Sequence, residues 1–109
     1  MARAVEWAGR AKSDLRLAVE YIRKDSPDSA KAFLSQAFET ARSLSTFSER
    51  GLIVPDLGDP AVRQVLVGRY RVLYEVHAEA VWIMRVLHTS QDVLLALGRR
   101  TREEAEREE

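Results

Sequence analysis

At Thr46 the hydrophobic rhythm of this chain changes from a repeat near 3.6 residues to a repeat of two, and few folds accommodate both in separate blocks. Before the change, Ala11, Leu15, Ala18, Val19 and Ile22 fall on one helical stripe, which predicts a helix over 10–24. The segment DSPDS interrupts it: Ser26 suits an N-cap and Pro27 the first turn of a second helix. That helix should run to Leu44 on a stripe of Ala30, Phe33, Leu34, Ala37, Phe38, Ala41 and Leu44. Two helices joined so tightly form an αα-hairpin. After the change, Gly51, Pro55, Gly58, Asp59 and Pro60 punctuate a loop of about fifteen residues. Three strands are then expected at Val62–Val67, Tyr70–His77 and Val81–His88, with hairpin-length turns at Gly68-Arg69 and Ala78–Ala80.

A further short strand is expected at Arg3–Trp7, with Val5 and Trp7 on one face and Gly9 ending it. The last strand is apolar on both faces, which predicts a central or kinked position. The fold class is therefore α+β, in the order β-α-α-β-β-β, with the helical hairpin packed on one face of a mostly antiparallel sheet. Residues 1–97 read as one domain, and 98–109 as a charged tail, either a frayed helix or disordered. Leu94, Leu95 and Leu97 form an apolar patch before it, suited to a final helical turn or a partner surface.

Composition excludes several function classes. The chain has 109 residues, 46% hydrophobic and 31% charged, as expected of one soluble domain. No apolar run approaches the roughly 20 residues that cross a bilayer. The N-terminus lacks the apolar region of a secretory signal, so a cytoplasmic location is expected. Without cysteine there is no disulfide, thiolate catalysis or Cys-ligated zinc, and two histidines make a poor metal set. No metal and no cofactor are expected. Net charge is zero, so any attraction to anions must be local.

Local charge is concentrated in the strand region, where Arg63, Arg69, Arg71 and Arg85 face only Glu75 and Glu79 between residues 61 and 88. A core strand has no structural need of arginine, because burying an unpaired guanidinium is costly. These arginines either share a solvated face or serve an anionic partner. Two also have a plain alternative: Arg63 paired with Asp59 or Asp56, and Arg71 stacked on a neighbouring tyrosine or paired with the neighbours of Glu75. Tyr70 and Tyr74 share a strand face and fit core packing better than stacking on a ligand. His88 suits a hydrogen-bonded strand end more often than a general base, His77 sits at a turn, and a helix-surface role suffices for Asp14.

Four segments, taken in order, resemble one known family. They are W-A-x-x-A-x-x-D-L at Trp7–Leu15, Y-I-x-x-x-S-P-x-x-A-x-x-F at Tyr21–Phe33, ERGLIVPDLGDPAVRQVLVGRYRVLYEV at Glu49–Val76 and V-x-I-M-x-V-L-H at Val81–His88. Together they are similar to the RelE/ParE superfamily of type II toxin–antitoxin toxins, and the loop motif and V-G-R-Y-R-V-L-Y strand resemble the ParE branch more closely. The resemblance implies the same β-α-α-β-β-β fold and a growth-inhibiting toxin neutralised by a cognate antitoxin, which binds the hairpin and sheet as a hetero-oligomer. ParE-like members act on DNA gyrase and perform no hydrolysis. RelE-like members cut mRNA on the ribosome, chemistry that needs a base, an acid and cations over the developing charge.

For a ribonuclease, Arg63 and Arg85 would bracket the phosphate and His88 would act as base. For a gyrase inhibitor, Arg63, Arg69 and Arg71, together with the outer residues Leu52, Ile53, Val54 and Trp82, would contact the target or the antitoxin. Where ParE-like chains commonly read H-G-R-R-D, this one reads HTSQD at 88–92, and it offers no tyrosine or lysine there. Zero net charge and that ending favour the gyrase reading over the ribonuclease, with a degenerate antitoxin-binding member as a third possibility.

Overall fold

The computed structural model describes residues 2–97; the charged tail at 98–109 lies outside the described residues. Its elements are β1 (Ala4–Trp7), α1 (Gly9–Asp25), α2 (Pro27–Ser43), β2 (Leu52–Ile53), a 3₁₀ turn at Pro55–Leu57, β3 (Val62–Val67), β4 (Tyr70–Val76), β5 (Ala80–His88) and α3 (Val93–Leu97). The strands form one sheet in the order β1-β5-β4-β3-β2. Only β1 pairs in parallel, against β5, and the other pairings are antiparallel. The expected α+β order stands, with one addition, β2 from the long loop; α3 is the final helical turn for which Leu94, Leu95 and Leu97 were suited.

Local chemistry accounts for the hairpin. The Ser26 hydroxyl accepts from the Ser29 N–H while Pro27 opens α2, so one residue ends the first helix and caps the second. Ala11, Leu15 and Ala18 from α1 meet Phe33, Ala37 and Ala41 from α2 in the core. The small alanines let the helices approach closely.

Register assigns each side chain a face. Phe33 packs on Tyr70 at 5.1 Å between ring centroids, so the face of Tyr70, Val72 and Tyr74 is the one beneath the hairpin. Their cross-strand partners Val67, Val65 and Arg63 share it, and Leu66, Arg71, Leu73 and Glu75 point the other way. In β5 a bulge at Met84 shifts the pairing between Leu73↔Arg85 and Tyr74↔Ile83. The strand expected to be central or kinked is therefore both. Leu73, Tyr74, Ile83 and Leu87 are fully buried, each worth about 1.5–3 kcal/mol of burial.

β1 covers only the first half of β5, from Ala80 to Ile83. Ala8 still reaches the Ile83 carbonyl, and then α1 begins. The exposed edge beyond is completed by a side chain: Asp14 Oδ2 accepts the Val86 N–H at 2.9 Å. Asp14 therefore does more than face solvent. A helix has replaced the missing strand, and its carboxylate stands in for a ladder carbonyl.

Candidate functional site

The four strand-region arginines do not converge. Arg63 leans from β3 over the hairpin-side face and donates through Nη1 to the carbonyls of Gly51 (2.7 Å) and Glu49 (3.2 Å). Its partners are loop carbonyls, where sequence suggested Asp56 or Asp59. Arg71 points to the opposite face and donates to Gln64 Oε1 and to the Thr89 carbonyl, with no tyrosine stacked on it. Arg85 is on that face too, held by both oxygens of Asp14 (2.7 and 3.1 Å) and by the Ala96 carbonyl at 3.0 Å. It ties α1, β5 and α3 together. Only Arg69, exposed on the β3–β4 turn, has a guanidinium without a hydrogen bond or ion pair to any described residue.

His88 lies elsewhere again, at the end of β5 opposite Tyr70. Arg63 pairs with Tyr74 and His88 with Tyr70, four residues apart along β4 and two strands apart across the sheet. That separates the two by roughly 13 Å along the strands alone. Arg85, meanwhile, faces the other side of the sheet. The Ser90 N–H donates to His88 Nδ1 at 3.1 Å, so the neutral ring carries its proton on Nε2.

Leu52 is 74% exposed and Ile53 is also outward, as expected for partner contacts. Two further outer residues are corrected: Val54 is 1% exposed and Trp82 8%, both inside the core. Val54 turns in because its N–H continues the ladder to the Val62 carbonyl, and Trp82 because β5 is a central strand.

The loop before β2 is fixed by a buried phenol. Tyr74 Oη accepts the Gly51 N–H at 2.9 Å while Arg63 holds the Gly51 carbonyl. Burial raises the Tyr74 hydroxyl above its ordinary 10.0, outweighing the Gly51 hydrogen bond and the nearby arginines, which lower it. Tyr70 is raised as well, first by burial and then by Tyr21. A raised folded value means that this contribution to stability is complete below pH 10.0 and is lost as pH climbs through the folded range. Alkaline titration of stability should therefore show a decline beginning near pH 10.0, shallower in Tyr74→Phe. At neutral pH the same substitution should cost about 1 kcal/mol in urea denaturation, through the lost Gly51 contact. An unchanged alkaline slope would assign the decline to other groups.

Elsewhere on the opposite face, Glu75 is buried and its Oε1 lies 2.6 Å from His77 Nε2, a pairing that the turn position of His77 did not signal. Two concave surfaces flank the hairpin. One groove, about 560 Å³, is lined by Trp7, Leu15, Val19, Leu34 and Phe38, together with Lys12, Arg16, Arg23 and Glu20. The other, about 530 Å³, lies where the α1–α2 elbow approaches the β3–β4 turn and His88. Among the described residues there is no cluster suited to a metal ion, and no helix long and apolar enough to cross a membrane.

Residues 5–93 match the family model described as the ParE toxin of type II toxin–antitoxin systems, parDE. The chain belongs to the ParE toxin family.

Solved structures agree on the fold of this ParE-family toxin. A chain of the chromosomal ParDE system from P. aeruginosa superposes with a TM-score of 0.65 at 19% identity, covering 80% of this chain and 96% of that one. A chain of the toxin–antitoxin complex RelBE2 from Mycobacterium tuberculosis gives 0.54 at 25% identity, with coverages of 81% and 99%. A chain of the E. coli DinJ–YafQ complex gives 0.56 at 14%, with coverages of 83% and 96%. No curated protein sequence matches the chain.

Proposed function

We propose that this ParE-family toxin arrests growth by binding DNA gyrase, without hydrolysis, and is neutralised by a cognate antitoxin. The observation that carries the choice between targets is the dispersal of the ribonuclease candidates. Arg63 is engaged by loop carbonyls and Arg85 by Asp14 on the opposite face, while His88 stands at the far end of β5. General acid–base cleavage at a phosphate needs those groups within hydrogen-bond reach of the reacting atoms. Zero net charge also disfavours a site walled by RNA. The ParE family model supports the same branch.

For the antitoxin, two surfaces support docking. β2 is an edge strand with Leu52 and Ile53 exposed, open to an added strand. The Trp7–Phe38 groove offers an apolar bed with three basic residues against one acid, Glu20, suited to an amphipathic helix carrying acidic residues. The neighbours' own complexes, ParDE, RelBE2 and DinJ–YafQ, support a partner of this kind.

Induction in cells tests the proposal. Plasmid supercoiling should fall and a DNA-damage response should rise while protein synthesis continues, and co-expressed antitoxin should restore growth. Early loss of translation with codon-positioned mRNA cleavage, abolished in Arg63→Ala and His88→Ala, would instead establish the ribonuclease. Growth without defect would leave an antitoxin-binding module.

A further inference from the structure

The elbow cleft has a chemistry distinct from the apolar groove on the other side of the hairpin. Its floor is a run of aromatic rings: Phe33 against Tyr70 at 5.1 Å, then Tyr70 edge-on to His88 at 5.2 Å. Phe33 is buried and locks the run from below, while Tyr70 and His88 are only half-buried. Tyr21, 64% exposed, lines it from α1. Around the rings stand Asp25, Ser29 and Gln36, and at the turn side Arg69. Gly68, at φ +58, makes the tight turn that brings Arg69 there.

Three properties define a ligand. The exposed ring of Tyr21 offers a face to a flat heteroaromatic group, and stacking of this kind is tolerant of ring identity. Asp25 accepts and Gln36 and Ser29 both donate and accept, which suits the mixed edge of a nucleobase. The guanidinium of Arg69 has no partner among the described residues, unlike those of Arg63, Arg71 and Arg85, and it is the natural seat for an anion. Nε2–H of His88 is a second donor, because Nδ1 already accepts from the Ser90 N–H.

We propose that this cleft binds a free nucleoside monophosphate, with its base stacked on the exposed ring of Tyr21 above the Tyr70–His88 floor and its phosphate paired with Arg69. The volume of about 530 Å³ is within the ordinary range for small-molecule sites. A nucleic-acid strand fits less well, because tracking its backbone needs a row of cations and the cleft presents one unpaired arginine. An extended peptide fits less well too: the two-residue turn between β3 and β4 closes this end of the sheet, so no strand edge is offered along the cleft. The site requires nothing of the gyrase reading and stands or falls separately from it.

The test is titration of the full-length protein with AMP, adenosine and an oligoadenylate, followed by amide chemical shifts. AMP should saturate, moving resonances of Arg69, Tyr70 and His88, and adenosine should bind about tenfold more weakly for want of the phosphate contact. Arg69→Gln should erase the difference between AMP and adenosine, and Tyr21→Ala should weaken both ligands. Both residues are exposed, so neither substitution threatens the fold. Failure of AMP to saturate, equal binding of AMP and adenosine, or an AMP preference retained in Arg69→Gln would overturn the proposal. Tighter binding of the oligoadenylate than of AMP would overturn it in favour of a strand.

Discussion

Asp14→Ala should lower stability by about 3–5 kcal/mol in urea denaturation, a large fraction of the 5–15 kcal/mol typical of one domain. The carboxylate makes a two-pronged pair with Arg85 and also accepts the Val86 N–H, with both side chains mostly shielded from water. Its removal leaves a guanidinium bonded only to the Ala96 carbonyl and a ladder N–H with no acceptor. Asp14→Asn keeps an oxygen for Val86 and should cost less, about 1–2 kcal/mol. The informative comparison is the double variant Asp14→Ala/Arg85→Leu, which should recover part of the loss because no uncompensated charge remains. A single-variant loss under about 0.5 kcal/mol would place the pair with weak surface bridges and remove its role as the edge closure.

That result bears on how α1 and the sheet depend on each other. β1 is four residues long and covers β5 only to Ile83, so beyond it the hydrogen-bonding edge would be open. Open edges invite pairing with other chains. Asp14 closes this one from a helix, and Arg85 extends the closure to α3. The outer edges of the sheet are then those of β1 and β2, and β2 is the edge proposed for the antitoxin. Loosening the Asp14 contact should open a further adhesive edge on β5, seen as self-association before global unfolding.

Sequence rhythm was enough for both helices and for β3, β4 and β5, because each buries one regular stripe whose period survives packing. It missed β2, since two residues, Leu52 and Ile53, show no period at all. A kink in β5 was expected, but its position at Met84 was not legible: a run apolar on both faces has no alternation for an extra residue to disturb. Arginine content marked the sheet correctly as unusual, yet said nothing of which guanidiniums were already engaged. Arg85 finds Asp14 seventy-one residues away, and Arg63 finds backbone carbonyls, which carry no sequence signature. Trp82 read as outward although its strand was expected to be central, because a run apolar on both faces does not say what covers each face. Val54 read as outward because a loop residue has no periodicity to place it. The elbow cleft is likewise a product of tertiary structure, assembled from α1, α2, the β3–β4 turn and the end of β5.

Gly51→Ala should cost about 2–4 kcal/mol, and for a reason that differs from the usual one for glycine. Its backbone does not occupy the left-handed region; among the described glycines only Gly58 and Gly68 have positive φ. What excludes a side chain is contact: a Cβ there would lie 2.6 Å from the Gln64 carbonyl oxygen and 2.6 Å from Tyr74 Oη. Backbone on one side and a fully buried ring on the other leave little room to yield, so the loop must move outward. Movement breaks the Gly51–Tyr74 and Arg63–Gly51 hydrogen bonds together. Gly51→Ala/Tyr74→Phe removes the hydroxyl clash but not the carbonyl clash, and should recover only part of the loss. Gly58→Ala supplies the contrast: its Cβ meets open space, so left-handed strain alone should cost about 1–2 kcal/mol. Because Leu52 follows directly, Gly51→Ala should also weaken antitoxin binding in a pull-down, whereas Gly58→Ala should not. Equal effects of the two substitutions on that binding would separate the loop anchor from the β2 edge and withdraw β2 as a docking strand.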